Sequence, residues 1–587
     1  MGGIFIKRII FIFIFSGLFC YIGWNIFYPI FQSNSIIIDY GFRDFDICIE
    51  QPLLWHYIKI AFIISYIGSS LFISNSTYSI IFNFHKNMSS KKSKIKSHNN
   101  SLKKINLSFP TFIEKQSSKL NLLIGSNEKS ENIIISEKSL YQNILITGTI
   151  GTGKTSSAMY PFTKQLIEYK SDDFDSKIGM LILDVKGNYY KKVQEFVEKE
   201  NRISDLIVLE LGGFYKYNPL HKPNLKANVL ANRLKTILLL FSPNNTESFW
   251  IDKAEQVLTE CIKLCRLYNN YYVTFEEIHR LVTIDDYYLG KIKFLRELFI
   301  SNKLNEEDVY NLLSALNFFE KEYSNLDFRT KSILKSEITR ITNIFISDYK
   351  VHNTFSPNEE ELNFFGFEDV IETGKIVVLN MNISEYQDLS KIIATYLKLD
   401  FQTEALIRLS RSNMENQRPI AFISDEYHEY CTASDANFFA QSRESKCINI
   451  VATQSYSSLL NTINNESTVK VIIQNLVNKL WFRTDDIFTI ESAQKQIGKE
   501  DKEKISKSIS ENAQSTIYSY FSNSLNSKDS NISESLNTYL QYDFIYDTNF
   551  FTQKLENFTC LSFLSDGNKI LEPQKIKLFP YFKKFGS

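Results

Sequence analysis

The sequence predicts an α/β protein: a largely parallel sheet around a phosphate-binding turn, broken by an inserted all-α domain and preceded by a two-helix transmembrane anchor. Three observations point that way. Short apolar runs recur from about Asn143 onward, residues 148–155 read GTIGTGKT between one such run and a helical pattern, and two long uncharged stretches precede them. The runs are nearly continuous rather than alternating, which marks strands covered on both faces, as in parallel sheets flanked by helices.

The first uncharged stretch, residues 9–30, follows Lys7 and Arg8 and is long enough to span a hydrocarbon core of about 30 Å as a helix. A cleaved signal peptide would carry a shorter apolar segment. The second stretch, residues 60–82, is interrupted by Ser65, Ser69, Ser70, Ser74 and Ser76, with Lys59 placed to snorkel. Lys86, Lys91, Lys92, Lys94, Lys96, Lys103 and Lys104 follow before the first acid, Glu114, whereas the loop between the stretches carries Asp39, Asp44, Asp46 and Glu50 against Arg43. The positive-inside tendency then puts both termini in the cytoplasm, with a loop of about 30 residues outside. Residues 1–84 read as the anchor. Residues 85–110 read as a basic linker, solvated and able to attract anionic membrane lipids.

With 587 residues there is room for several domains, and the 66 basic residues balance the 66 acidic ones. A protein that coats DNA is usually basic, so any nucleic-acid contact here is local, which suits a translocating channel better than a tight sequence-specific binder. Cys20, Cys48, Cys261, Cys265, Cys431, Cys447 and Cys560 are scattered without a metal-ligand spacing and read as free thiols of a reducing compartment.

The β-prone runs are NILITG, GMLILD, DLIVLE, KIVVLNM, PIAFISD, CINIVAT, NKLWFRT and FTCLSFL. Between Leu220 and about Ile371 they vanish and helical periodicity takes over: Val257, Leu258, Cys261, Ile262 and Cys265 share one face, and Leu334, Ile338, Ile341 and Phe345 another. Residues 222–370 therefore read as the inserted all-α domain, with 111–221 and 371–587 forming the nucleotide-binding domain around it. Residues 505–540, rich in Ser and Asn and poorly periodic, read as a long surface excursion.

Gly148, Thr149, Gly151, Thr152, Gly153, Lys154 and Thr155 fit G-x-x-x-x-G-K-[ST], with Ser156 opening the helix beyond. Small residues let successive backbone N–H groups converge on phosphates, the helix N-terminus adds its dipole, and Lys154 reaches the outer phosphate oxygens. Thr155 is the expected Mg2+ ligand and ATP the expected nucleotide. Asp184, ending MLILD, and Asp425, ending IAFISD, compete to supply the second metal-shell carboxylate. Only Asp425 is followed by a glutamate, and that pair suits divided labour: Asp425 holds Mg2+ through water and Glu426 polarises the attacking water. Asp184 reads equally as a cap for the segment that follows it. Gln454, closing IVATQ, is placed to sense the γ-phosphate. Arg443 is either a surface residue or an arginine offered to a neighbouring subunit's site.

These pieces together resemble the conjugative coupling proteins of type IV secretion systems, the TraG/TraD-like membrane ATPases. The resemblance rests on GTIGTGKTS, LDVKGNYY, YNPL at 217–220, FWIDKAEQVL at 249–258, GKIVVLNM at 374–381, SDEYHEY at 424–430, Arg443, VATQS at 451–455 and NKLWFRTDD, and covers roughly residues 120–585 with the anchor. It implies a RecA-like domain carrying an inserted all-α domain, six chains in a ring on the cytoplasmic face of the bacterial inner membrane, and ATP hydrolysis. That hydrolysis recruits relaxase-bound single-stranded DNA, or protein substrates, and drives them to the secretion channel. By position, Lys154 and Thr155 bind nucleotide and Mg2+, Asp425 and Glu426 form the acidic pair, Gln454 senses, and Arg443 resembles the finger. Val185 departs from the family's D-P-K-G, and losing that proline frees the backbone there. The alternatives are a coupling ATPase for protein effectors alone, a double-stranded DNA translocase of the FtsK type, and a membrane adaptor that binds ATP without turnover.

Overall fold

The computed structural model describes residues 15–26, 32, 36–39, 44–71, 73–74, 119–184, 186–240, 248–301, 304–411, 417–511 and 532–582. Two compact units divide the chain, one over residues 1–108 and one over 109–587. In the first, helices over 15–26 and 52–71 flank a ribbon of β1 (Ile37–Asp39) and β2 (Asp44–Asp46). Small and polar side chains join the helices: Ser16 Oγ lies 3.1 Å from Ser70 Oγ, and the Tyr66 hydroxyl donates to the carbonyl of Phe19 at 3.1 Å. Gly23 faces the Tyr66 ring, where a Cβ would collide. Large apolar residues point away, Tyr21, Trp24, Ile26, Tyr57 and Ile64 among them. Among the described residues no helix is long and apolar enough to cross a membrane. Residues 9–14, 27–30, 72 and 75–82 of the two expected spans, and the basic linker, lie outside the described residues.

The second unit is built on an 11-stranded sheet ordered β4-β3-β15-β14-β11-β5-β10-β9-β6-β8-β7. Its strands are β3 (Asn121–Asn127), β4 (Asn132–Ser136), β5 (Ile144–Thr147), β6 (Gly179–Leu183), β7 (Leu206–Leu209), β8 (Ile376–Leu379), β9 (Ile420–Ser424), β10 (Cys447–Thr453), β11 (Asn478–Trp481), β14 (Thr559–Phe563) and β15 (Gln574–Leu578). From β11 through β7 every pairing is parallel, and from β14 outward every pairing is antiparallel. All eight apolar runs read from the sequence are strands of this sheet. Their alternate residues enter two cores: Leu145, Leu181, Leu183, Val377 and Leu379 face one, and Ile144, Ile146, Met180, Ile182, Ile376 and Val378 the other. Burial on both faces is what erased the alternation from the sequence. This is a mixed α/β fold of the RecA type.

The interval between β7 and β8 is helical, from Ala227–Leu240 to Phe367–Thr373. Its first helix is tied to the body by one buried carboxylate, Asp400, on the helix Ile383–Arg411. Asp400 accepts from Arg233 and Lys222, each at 2.8 Å, and from the Tyr217 hydroxyl. Burial pushes the Asp400 carboxyl up, but Lys222 and Arg233 outweigh it and hold it below the usual value.

Residues 505–540, expected as a long surface excursion, contain paired strands. β12 (Lys499–Glu511) and β13 (Ile532–Phe544) pair antiparallel from Lys499↔Phe544 to Glu511↔Ile532, outside the main sheet, while 512–531 lie outside the described residues. The alternation of Ile505, Lys507 and Ile509 carries the strand signal, and the intervening serines hide it.

Removing Asp400 strands two buried cations. Asp400→Ala is expected to destabilise the second unit by about 3–5 kcal/mol at pH 7, read as a lower denaturant midpoint. Because the folded carboxyl sits below its ordinary pKa, the stabilisation is present above about pH 3.9 and lost as pH falls through the folded value, so wild type and variant converge in acid.

Candidate functional site

Parallel pairing brings the expected residues to one edge of the sheet. β5 pairs with β10 (Thr147↔Thr453) and β10 with β9 (Val451↔Ser424), so the segments after all three emerge side by side at their carboxyl ends. Those segments are the glycine turn 148–154, the pair Asp425-Glu426, and Gln454.

The turn is shaped by glycine and held from outside. Gly151 and Gly153 have φ of 79° and 97°. A Cβ on Gly148 would sit 2.6 Å from Phe482 Cβ, and one on Gly153 would collide with the Phe558 ring, whereas Gly151 faces open space. Backbone bonds add to these contacts: Thr149 donates to the carbonyl of Arg483 at 2.9 Å and Phe558 to that of Thr152 at 3.0 Å. The helix that follows opens with a π-wound turn, Thr155–Met159, before the α-helix Tyr160–Glu168. Pro161 lies just inside that α-helix and has no N–H to lose where the winding changes.

Lys154 is buried, and its ammonium rests on the carbonyls of Gly148 and Thr149, the second at 3.2 Å. Burial pulls its pKa down, against the opposing pull of Glu426 and Asp425. Thr155 Oγ1 donates to Asp425 Oδ2 at 2.8 Å. Asp425 is 1% exposed, and burial, reinforced by the carboxylates of Asp184 and Glu426, pushes its carboxyl up to about 6 despite Lys186. Glu426 occupies a left-handed corner at φ 50°, ψ 45°. Its Oε1 is 3.0 Å from Lys186 Nζ, and its Oε2 accepts from Gln454 Nε2 at 3.3 Å. Burial raises the Glu426 carboxyl, but Lys186, Lys154 and His428 together hold it below its ordinary value.

Asp184 stands at the tip of the adjacent strand β6 with its carboxylate spent on the turn beyond. Oδ1 accepts from the Lys186 N–H at 3.0 Å, and Oδ2 from the N–H groups of Asn188 and Tyr189 at 3.2 Å. It thereby satisfies backbone donors at the start of the helix Tyr189–Lys199, whose N-cap is Asn188. Val185, where the motif departs from its usual proline, lies outside the described residues.

Arg443 is not with the others. It is exposed in the turn between the helix Asp435–Gln441 and β10, at the amino end of that strand and so at the opposite edge of the sheet from the glycine turn. Sequence reasoning missed Lys186, which the LDVKG stretch contains without marking, and the Phe482 and Phe558 supports, which carry no local signal.

A hydroxyl and a carboxylate 2.8 Å apart beside a phosphate-type turn form a hard-oxygen donor set that suits Mg2+, and the open, left-handed Gly151 leaves room for phosphates. Fold and site together define a P-loop protein of the RecA type. Residues 331–533 match the family model of the type IV secretion-system coupling protein DNA-binding domain, which bears out the resemblance to the type IV secretion-system coupling proteins. The matched stretch holds Asp425, Glu426, Arg443 and Gln454; the glycine turn precedes it. Among solved structures, the bacterial conjugative coupling protein TrwB in an unbound form aligns with a TM-score of 0.50 at 12% identity, covering 77% of this chain and 88% of that one. TrwB in complex with ADP and Mg2+ gives the same figures. A trigonal form in complex with sulphate gives 0.51 at 13% identity over 79% and 95%. At these identities the likeness is one of fold. No curated protein matches the chain.

The glycines separate two costs. Gly151→Ala carries only the left-handed penalty of about 1–2 kcal/mol, whereas Gly153→Ala adds a collision with Phe558. Titration with a fluorescent ATP analogue is expected to show weakened binding for the first and none for the second, with Gly153→Ala/Phe558→Ala recovering part of the loss.

Proposed function

We propose that this protein is a membrane-anchored ring ATPase, a coupling protein that recruits single-stranded DNA with its relaxase, or protein substrates. By ATP hydrolysis it drives them into a type IV secretion channel. The observation that carries the reading is the Thr155–Asp425 contact with Glu426 next along the chain, because it unites the metal-holding and water-activating groups at the glycine turn. The family matched over 331–533 is described by its DNA-binding domain, and a protein of the same fold has been solved with ADP and Mg2+.

In this reading the turn 148–154 and Ser156 cradle the phosphates, Lys154 leaves its carbonyl partners for phosphate oxygens, and Thr155 and Asp425 hold Mg2+. The cation supplies charge neutralisation on the triphosphate. Glu426 draws a proton from the attacking water, and Gln454, already on Glu426, orients that water. Arg443 is exposed and remote from its own site, which supports its use in a neighbour's, as a heterologous ring of six chains requires. The anchor reading is supported by the first unit. Its two helices turn small and hydroxyl residues toward each other and large apolar ones outward, the arrangement expected in lipid. Both termini and the ATPase body then lie on the cytoplasmic side of the bacterial inner membrane.

Two experiments test the proposal. Arg443→Ala and Glu426→Gln chains, each inactive alone, are expected to recover part of the single-stranded-DNA-stimulated ATPase when mixed, with Lys154→Ala as the inactive control. No recovery at any ratio refutes the shared site. Deleting residues 1–84 is expected to release the body from membranes, and continued sedimentation with them refutes the anchor.

A further inference from the structure

We propose that Lys186 is a positioning residue for the ATPase reaction, acting through Glu426; this rests on the hydrolytic reading of the site. Three placements carry it. First, Asp184 fixes the turn that presents Lys186: its two carboxylate oxygens take the N–H groups of Lys186, Asn188 and Tyr189. Gly187, at φ 65°, lets that turn lie against Asn382, whose backbone N and Cβ stand 3.1 Å from where a Cβ would be.

Second, the ammonium so delivered meets Glu426 Oε1 at 3.0 Å, while Gln454 takes the other oxygen. A glutamate side chain has three rotatable bonds, and a contact on each oxygen is what selects one orientation among many. Third, Glu426 adjoins Asp425, and Asp184 stands on the neighbouring strand, so three carboxylates crowd one strand edge. Lys186 is the cation set on the glutamate, as Thr155 is the hydroxyl set on the aspartate. Without that charge, Lys154 and His428 still stand near Glu426, but the short contact that fixes its Oε1 is lost and the side chain is free to reorient.

The Lys186 side chain is 49% exposed and that of Glu426 9%, so the lysine approaches from the open side of the site, where a substrate also approaches. Lys154 sits on the closed side, on the turn's own carbonyls. The two lysines therefore divide the work. Lys154 is committed to phosphate, and Lys186 to the orientation of the base.

The test compares Lys186→Gln, Lys186→Arg and Glu426→Gln in the full-length chain. Lys186→Gln is expected to lower kcat by about tenfold or more while the affinity for a non-hydrolysable ATP analogue changes by less than about threefold, the split that marks a group working through the base rather than on the phosphates. Lys186→Arg, which keeps the charge, is expected to restore most of the loss. A readout independent of turnover is labelling of nucleotide-free protein with an amine-reactive ester, followed by mass spectrometry. Lys186 is expected to react several-fold faster in Glu426→Gln than in wild type, with Lys191 as an exposed internal control. Unchanged kcat in Lys186→Gln, a parallel loss of nucleotide affinity, or equal labelling in both proteins would overturn the proposal. If the wild type itself fails to hydrolyse ATP, the ATPase reading falls, and the labelling comparison still decides whether Lys186 holds Glu426.

Discussion

The parallel register of β5, β10 and β9 is the constraint on which the site depends. Three strands running the same way, paired Thr147↔Thr453 and Val451↔Ser424, must all end at the same edge, whatever their order in the chain. Sequence distances of some hundreds of residues collapse there into contacts such as Thr155 to Asp425. The same rule sends every segment that precedes a strand to the far edge, which is why Arg443, only a few residues before β10, cannot join the group that Gln454 joins just after it. Ligands in open α/β sheets gather at carboxyl ends for this reason.

The acidic corner at the end of β9 is costly and is held by buried charge. Glu426 keeps a left-handed backbone without being glycine, a strain of order 1–3 kcal/mol. Immediately beyond it, Tyr427 donates to Asp435, whose carboxylate is also bound by Lys398 and Gln402, with every partner buried. The Tyr430 hydroxyl accepts from Ser424 at 3.0 Å and donates to the carbonyl of Asp425 at 2.8 Å, closing the corner on itself. Ion pairs like Lys398–Asp435 add little net stability over a well-packed apolar pair, but they tolerate few alternative arrangements. Here that property keeps two like charges at a fixed spacing beside the glycine turn.

Much of this was legible in the sequence because the central strands are apolar on both faces and short, a pattern that few other structures share. The antiparallel flank was not. β3 and β4 carry apolar runs of only three residues among Asn, Ser and Gly, β15 alternates Ile576 and Leu578 with lysines, and only the chain of pairings β4-β3-β15-β14 turns those residues into core. The G-x-x-x-x-G-K-[ST] motif marked the glycine turn, and the strand-end acids marked the groups that meet it, since both signals are local. Lys186 was overlooked because lysines are common on surfaces. Its meaning comes from the turn Asp184 builds and from Glu426, 240 positions on. Asp184 illustrates the reverse case, in which a carboxylate at a strand tip, equally apt for metal or cap on paper, has its lone pairs taken by neighbouring amides.

The supports of the glycine turn have one further bearing, on the order in which the chain is made. Residues 148–153 leave the ribosome early, yet the groups that hold them, Phe482, Arg483 and Phe558, are made more than three hundred residues later, and the helix beyond is bonded at Ser156 by Tyr581. At about 5–20 residues per second, that interval is tens of seconds in which the turn lacks its scaffold. The nascent chain therefore has the glycine motif in full without the groups that hold its shape, and the proposed nucleotide site is complete only when nearly the whole second unit has been made.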